Sequence, residues 1–199
     1  GFRTPESVKF DSEQDAYFVS NIDGNPSQKD GNGYIARIDA ADSARAVTTV
    51  IRGGRSGVTL NAPKGMAIAG DTLWVADIDV LPGFNRTTGA PVATIQFPRP
   101  VYFLNDVAVG PDGALYVTDT GIQFDASGGM SAPSKGQIFR VEGRRATLAS
   151  SDTSFNAPNG IAWDERRQAF VVGSFNGPTL FSWAPDSGAP RAIATGPGQ

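Results

Sequence analysis

Four polar residues occupy the same place in four copies of one sequence pattern, although they lie far apart along the chain. They are Glu6, Lys64, Asn105 and Asn159, and 58, 41 and 54 residues separate them. A carboxylate and two amides supply the oxygen ligands that a hard divalent cation prefers, whereas an ammonium group attracts an anion. If the four positions come together in space, they predict a small polar site built around a metal ion.

Each of the four residues begins a unit of similar composition. The unit has a small or polar entry, a first strand, a turn rich in Gly, Asp or charge, and an aromatic–aliphatic second strand. The copies span 4–24, 62–79, 104–121 and 157–177. Two further apolar segments follow each copy, as at 33–40 and 46–54 after the first. Four strands per unit and four units predict an all-β propeller with four-stranded antiparallel blades.

Propeller geometry would bring the four positions together. The first strand of each blade lines the central channel, so equivalent residues converge on one channel mouth. Taken singly, each has a plainer interpretation: Glu6 is a solvated acid, Asn159 before Gly160 forms a turn, and Asn105 caps a strand. Because oxygen-bearing residues recur at this one position, we favour the metal-site interpretation. We expect Asn105 to face the channel and Asp106 to turn back onto neighbouring backbone amides.

The composition excludes several kinds of chemistry. The chain has 24 Gly, 14 Pro, no His and no Cys, with a net charge of −3. It therefore has no Ser-His-Asp triad, thiolate nucleophile, disulfide or zinc site made of His and Cys. The negative charge argues against nucleic acid as a partner, and no apolar run is long enough to span a bilayer. Any catalysis must use carboxylates, amides, hydroxyls, Lys or Arg.

The cellular location is constrained only weakly by the sequence. A chain without cysteine fits either side of a membrane. The first residue is Gly1 instead of Met, which fits removal of a signal peptide as well as trimming of the chain. We expect an exported protein, periplasmic or secreted, in preference to a cytoplasmic one.

Three stretches resemble a known family. PESV, LNDVAVGPDGALYVTD and APNGIAWD are similar to the regucalcin–gluconolactonase (senescence marker protein-type) family of six-bladed propellers, and more loosely to strictosidine-synthase-like and paraoxonase-like propellers. The resemblance implies a divalent metal at the channel mouth, calcium first, with zinc or manganese as alternatives. It implies Glu6 and Asn159 as metal ligands, and Asn105 in contact with substrate or a metal-bound water. The family's Asp, both ligand and base, would fall beyond Gln199, so no catalytic residue is assigned.

The resemblance also implies six blades, whereas residues 1–199 account for four. We expect a single propeller domain over 1–199 that lacks the C-terminal blades. The edge of its last blade would be open, or covered by a second chain that supplies the missing strands, because soluble proteins avoid bare sheet edges. A closed four-bladed ring is the alternative.

Lys64 and the loop at 21–33 leave alternatives open. Lys64 would contact a substrate carboxylate or developing oxyanion, or would only balance acids such as Glu6, Asp77 or Asp119. The loop is rich in Asp and Asn but lacks the acidic twelfth position and the flanking helices of an EF-hand. We expect this loop to form a lid at the channel mouth.

Two functions follow from these observations. The first is a metal-dependent hydrolase of lactones or related esters that acts on a small molecule. The alternative is a non-catalytic propeller in which the same metal holds a ligand or loop, as in a sensor or binding module.

Overall fold

The computed structural model describes residues 1–55 and 57–196, which form four antiparallel four-stranded sheets. The first blade consists of β1 (Pro5–Asp11), β2 (Ala16–Asn21), β3 (Tyr34–Asp39) and β4 (Thr48–Arg52). The second consists of β5 (Pro63–Ala69), β6 (Thr72–Asp77), β7 (Leu81–Asn85) and β8 (Pro91–Ile95). In both blades consecutive strands are neighbours. The predicted all-β propeller is thereby confirmed.

The third blade contains an additional hairpin that was not predicted from the sequence. Its four strands are β9 (Leu104–Val109), β10 (Leu115–Asp119), β13 (Gln137–Glu142) and β14 (Arg145–Ser150). Between β10 and β13 stands a small separate hairpin of β11 (Gln123–Phe124) and β12 (Met130–Ser131). Two-residue strands are too short to show an alternating pattern of apolar and polar residues, so the sequence predicts only a loop in this segment.

The fourth blade consists of β15 (Pro158–Asp164), β16 (Ala169–Ser174), β17 (Thr179–Trp183) and β18 (Arg191–Thr195). A three-residue 3-10 helix, Thr153–Phe155, precedes it and is the only helical segment among the described residues. None of them forms a helix that is long and apolar enough to cross a bilayer.

The blades pack face to face through apolar side chains. Phe18 and Ile35 of the first blade lie against Leu73 and Phe84 of the second. The interface between the third and fourth blades is aromatic, and the Tyr116 and Phe170 ring centroids lie 4.4 Å apart. Burying such large side chains supplies most of the driving force for stacking the sheets. This stacking places the inner strands β1, β5, β9 and β15 side by side around the channel.

The two end blades each keep one face uncovered. On the first blade Val8, Phe10 and Tyr17 are 62%, 45% and 40% exposed, and on the fourth Leu180 is 42% exposed. The outer strand β18 pairs with β17, while Arg3 and Thr4 extend the ladder of the first blade. Within residues 1–55 and 57–196, therefore, no strand pairing joins the first blade to the fourth.

Candidate functional site

All four inner strands contain a β-bulge at the same place. In each of them the ladder skips the second and third residues before pairing resumes. The skipped pairs are Glu6–Ser7, Lys64–Gly65, Asn105–Asp106 and Asn159–Gly160. A bulge bends the strand locally and re-aims its side chains. Each of the four residues singled out from the sequence is thus one of the two residues that do not pair regularly at its bulge.

Three of these residues carry side-chain oxygens that accept no hydrogen bond from any residue that the structure describes. Glu6 is exposed, Asn159 is half-buried, and Asn105 is 5% exposed. In the described part of the chain neither amide has a hydrogen-bond partner, yet no side-chain polar atom cut off from solvent lacks one. The polar atoms of the Asn105 amide are therefore not fully cut off from solvent. That these side chains share one ligand stays a prediction.

Asp106 brings a second carboxylate to the mouth. Its Oδ1 accepts from Val107 N at 2.8 Å, and its Oδ2 accepts from Ile161 N of the fourth blade at 2.9 Å. The expectation that Asp106 turns back onto backbone amides is confirmed. Burial raises the pKa of Asp106, while these two hydrogen bonds and the charge of Lys9 work in the opposite direction.

Glu6 lies close enough to Asp106 for their charges to interact. Burial by surrounding protein atoms raises the pKa of Glu6 to about 7, the charge of Asp106 adds to the rise, and Lys64 opposes it. The sequence did not reveal this pairing, because Asp106 looked like a purely structural neighbour of Asn105. Two adjacent polar residues at a bulge were the available signal, since a bulge can direct both toward one end of a channel.

Lys64 is buried beneath the mouth. It is 1% exposed, its Nζ donates to Ala62 O at 2.9 Å, and Nζ lies 4.2 Å from the centre of the Phe103 ring. Burial lowers its pKa to about 8, while the charges of Asp77 and then Glu6 partly offset the effect. This placement favours the charge-balancing interpretation. Contact between Lys64 and a substrate stays a prediction and would require Lys64 or Phe103 to move.

Two loops meet above the mouth ends of the first three blades. Asn25 Nδ2 from the loop at 22–33 donates to Asp125 O at 2.7 Å, and Phe124 N donates to Ser27 Oγ at 3.0 Å. Lys29 adds an ion pair of 2.6 Å with Asp79 in the second blade. We call residues 22–33 and 120–136 the mouth loops. They lie at the same end of the blades as the predicted site, and the second of them contains the β11–β12 hairpin. That they form a lid over the site stays a prediction.

Below the mouth the channel contains a cavity of about 500 Å³. Inner strands of all four blades contribute to its wall, with Asp106 at the mouth side and Lys9, Met66 and Trp163 among the others. A second cavity of about 600 Å³ lies between β4 and the turn that precedes β8, where none of the predicted site residues is found.

The donor set limits what ion the mouth could hold. No group of three or more acidic side chains with metal-binding geometry occurs in the described ranges. What is present is one free carboxylate, a second one shared with backbone amides, and two amide oxygens. Such hard, mostly neutral oxygen donors fit calcium better than zinc, which favours nitrogen and sulfur. With so little formal charge, the binding would be weak.

Solved structures of other proteins share this fold. Virginiamycin B lyase from Staphylococcus aureus is 14% identical, with a TM-score of 0.64 over 95% of this chain and 55% of its own. A chain in a nidogen–laminin complex is 17% identical, with a TM-score of 0.70 over 96% and 64% of the two chains. A structure described as a candidate gluconolactonase is 15% identical, with a TM-score of 0.62 over 98% and 64%. The present chain thus spans 55% to 64% of these chains.

The family model supplies the more specific relationship. Comparison with curated protein sequences finds no match. The model described as the SMP-30/gluconolactonase/LRE-like region matches residues 5–180, which include all four bulges. This match confirms the resemblance inferred from the short motifs, and the chain belongs to the SMP-30/gluconolactonase/LRE-like family.

Proposed function

We propose that the channel mouth binds a divalent cation, calcium in the first place, and that the chain belongs to a metal-dependent hydrolase of lactones or related esters. One observation carries the proposal: Glu6, Asn105 and Asn159 all occupy bulged positions of inner strands, and their side-chain oxygens have no hydrogen-bond partner within residues 1–55 and 57–196. Family membership supports the same chemistry.

The proposed roles follow from the placement of each side chain. Glu6 and Asn159 would hold the cation, and Asn105 would orient the substrate carbonyl by hydrogen bonding. A cation at the mouth supplies Lewis acidity, which polarises a carbonyl and lowers the pKa of bound water. Asp106 stays bonded to its two backbone amides and adds negative charge beneath the site. We assign no general base among the described residues.

The mouth loops favour a small substrate. They cover the ends of three blades, and the Phe103 and Phe124 ring centroids lie 5.8 Å apart. The half-buried Phe124 ring would pack against the apolar face of a sugar-like or γ-lactone ring, supported from behind by the buried Phe103. Opening this cover requires breaking the Asn25 and Ser27 hydrogen bonds, so large esters would be disfavoured.

A screen of lactones and esters tests the proposal. Aldonolactones, simple γ-lactones and aryl esters would be offered with Ca²⁺, Zn²⁺ or Mn²⁺ and again with a chelator. Glu6→Gln should abolish metal-dependent turnover, whereas Glu142→Gln, the same change on an exposed residue of the third blade, should retain it. Metal binding without turnover of any substrate would support the non-catalytic binding module instead. Absence of both would refute the metal site.

A further inference from the structure

The third blade holds the beginning of β15 through side chains. Three hydrogen bonds cross between the blades within four consecutive residues of β15. They run from Thr120 Oγ1 to Pro158 O (2.9 Å), from Thr118 Oγ1 to Asn159 O (2.5 Å) and from Ile161 N to Asp106 Oδ2 (2.9 Å). The Asn159–Gly160 bulge is therefore bonded on both sides by its neighbour.

The corresponding positions in the other blades lack this set of side chains. Thr118 corresponds to Ser20, Ala76 and Gly173, Thr120 to Ile22, Ile78 and Phe175, and Asp106 to Ser7, Gly65 and Gly160. Ser20 bonds to Ser7 in its own blade as Thr118 bonds to Asp106, but in the described part of the chain it makes no hydrogen bond to a neighbouring blade. Among the described blades, only the third presents two hydroxyls and a carboxylate to the strand beside it.

These bonds lie where water cannot replace them. Thr118 and Thr120 are both fully buried. A residue inside a bulge is unpaired in its own ladder, so neighbouring groups must fix its orientation. Buried hydrogen bonds are costly to break because the freed carbonyl or amide is left unsatisfied. The direction of the Asn159 side chain consequently depends on the third blade as much as on the fourth.

We propose that Asp106, Thr118 and Thr120 form an interblade clamp that positions Asn159 at the channel mouth. The three are positioning residues that act through the backbone of the bulge. The structural part of this inference concerns only how firmly the Asn159–Gly160 backbone is held. Its consequence for metal binding rests on the proposed function.

Deamidation of Asn159 provides a readout that needs neither metal nor substrate. In this reaction the Gly160 nitrogen bonds to the Asn159 side-chain carbonyl carbon, ammonia leaves, and water opens the resulting ring. The attack requires backbone rotation between the two residues, which the clamp prevents. Asn32–Gly33 and Asn176–Gly177 are the matched internal controls, because Asn32 and Asn176 are exposed loop residues outside the clamp.

The test compares wild type, Thr118→Val and Thr118→Ser after incubation at mildly alkaline pH, with deamidation at each site followed by peptide mass spectrometry. Thr118→Val removes the hydrogen bond to Asn159 O and also the one that Asp106 N donates to Thr118 Oγ1. Loss of even one ordinary hydrogen bond should increase deamidation at Asn159 about fivefold, so we expect at least that increase. Thr118→Ser keeps the hydroxyl and should behave as wild type. No change at Asn159 in Thr118→Val, or an equal rise at all three asparagines, would overturn the clamp.

Calcium titration by calorimetry then examines the consequence. The affinity for Ca²⁺ should fall in Thr118→Val and recover in Thr118→Ser. Faster deamidation with unchanged Ca²⁺ affinity would leave the clamp standing and remove Asn159 from the metal ligands. Absence of Ca²⁺ binding in wild type, together with faster deamidation in the variant, would count against the proposed function alone.

Discussion

The mouth and the opposite end of the first two blades both contain buried charges, but the charges are arranged differently. We call Asp11, Glu13, Asp71 and Arg86 the basal cluster and Glu6, Lys64, Asp77 and Asp106 the mouth cluster. In the basal cluster Arg86 contacts all three acids directly, with Nη1 at 2.8 Å from Asp11 Oδ1. In the mouth cluster the charges interact without a direct ion pair among the described residues.

The pKa directions express this difference. In the basal cluster burial would raise the pKa of Asp11, but hydrogen bonds from Gln14 and Glu13 N and the charge of Arg86 bring it below the usual value. In the mouth cluster burial prevails: it raises the pKa of Glu6 and lowers that of Lys64. The basal charges are satisfied by the fold, whereas the Glu6 carboxylate at the mouth would be better satisfied by an additional group. Groups with perturbed pKa values cluster at functional sites.

The largest effect should come from breaking the basal cluster. Arg86→Met leaves Asp11, which is 2% exposed, without its countercharge. Leaving a carboxylate of such low exposure without its ionic partner should lower the free energy of unfolding. Arg140→Met is the matched control, because Arg140 also contacts two acids but is more exposed, so its loss should lower the free energy of unfolding less. Equal losses for the two variants in urea titrations would contradict the comparison.

Removing the charge of Lys64 should have the next largest effect on stability, and this effect should be stabilising. Its folded-state pKa of about 8 lies below the ordinary lysine value of 10.5, so the folded protein holds this proton less tightly than the unfolded chain. Stability should therefore rise between pH 8 and 10.5, by up to about 3 kcal/mol, as the cost of a buried ammonium disappears. Lys64→Met should abolish this rise and stabilise the protein at pH 7. A wild-type stability that stays flat or falls over that pH window would refute the assignment.

Overpacking at the mouth should change the stability somewhat less than removing the charge of Lys64. A Cβ added at Gly65 would lie 2.0 Å from Asp106 Oδ1 and 2.6 Å from its Cα. Gly65→Ala must displace Asp106, and overpacking of this kind costs roughly 2 kcal/mol. Gly173→Ala is the control in the fourth blade, because its nearest neighbour atom would be 3.8 Å away. If thermal unfolding shows the two variants to be equally stable, Gly65 is not required for the position of Asp106.

The sequence revealed the repeated framework better than the interactions between repeats. Equivalent positions such as Glu6 and Asn159 were recognisable because each begins a copy of one pattern. Arg86 and Asp11 are 75 residues apart and belong to different blades, so no local pattern connects them. Thr118 looks like an ordinary strand residue, since β-branched residues are common in strands. Its bond to Asn159 becomes visible only once the third and fourth blades are packed together.

Glu6→Gln should give the smallest change in stability and the sharpest distinction between the two clusters. The folded-state pKa of Glu6 is about 7, above its ordinary value of 4.5, so the folded protein binds this proton more tightly than the unfolded chain does. Wild-type stability should accordingly fall as pH rises from 4.5 to 7, and ionised Glu6 should be unfavourable above that range. Because Glu6 is exposed, we expect Gln to stabilise the metal-free protein at pH 8 by less than about 1 kcal/mol.

Calcium should make wild type more stable than Glu6→Gln, the reverse of the order expected without metal. A cation at the mouth would stabilise wild type in proportion to its occupancy, because it binds the folded state alone, and it would do so less in Glu6→Gln. Thermal unfolding at pH 8 measures the stability of both proteins with Ca²⁺ and with a chelator. Glu13→Gln, the same substitution in the basal cluster, serves as the control variant. Glu13→Gln should lose its charge interaction with Arg86 but keep the full Ca²⁺ response. A Ca²⁺ response that is equal in wild type and Glu6→Gln would mean that the unsatisfied charge at the mouth does not serve a metal ion.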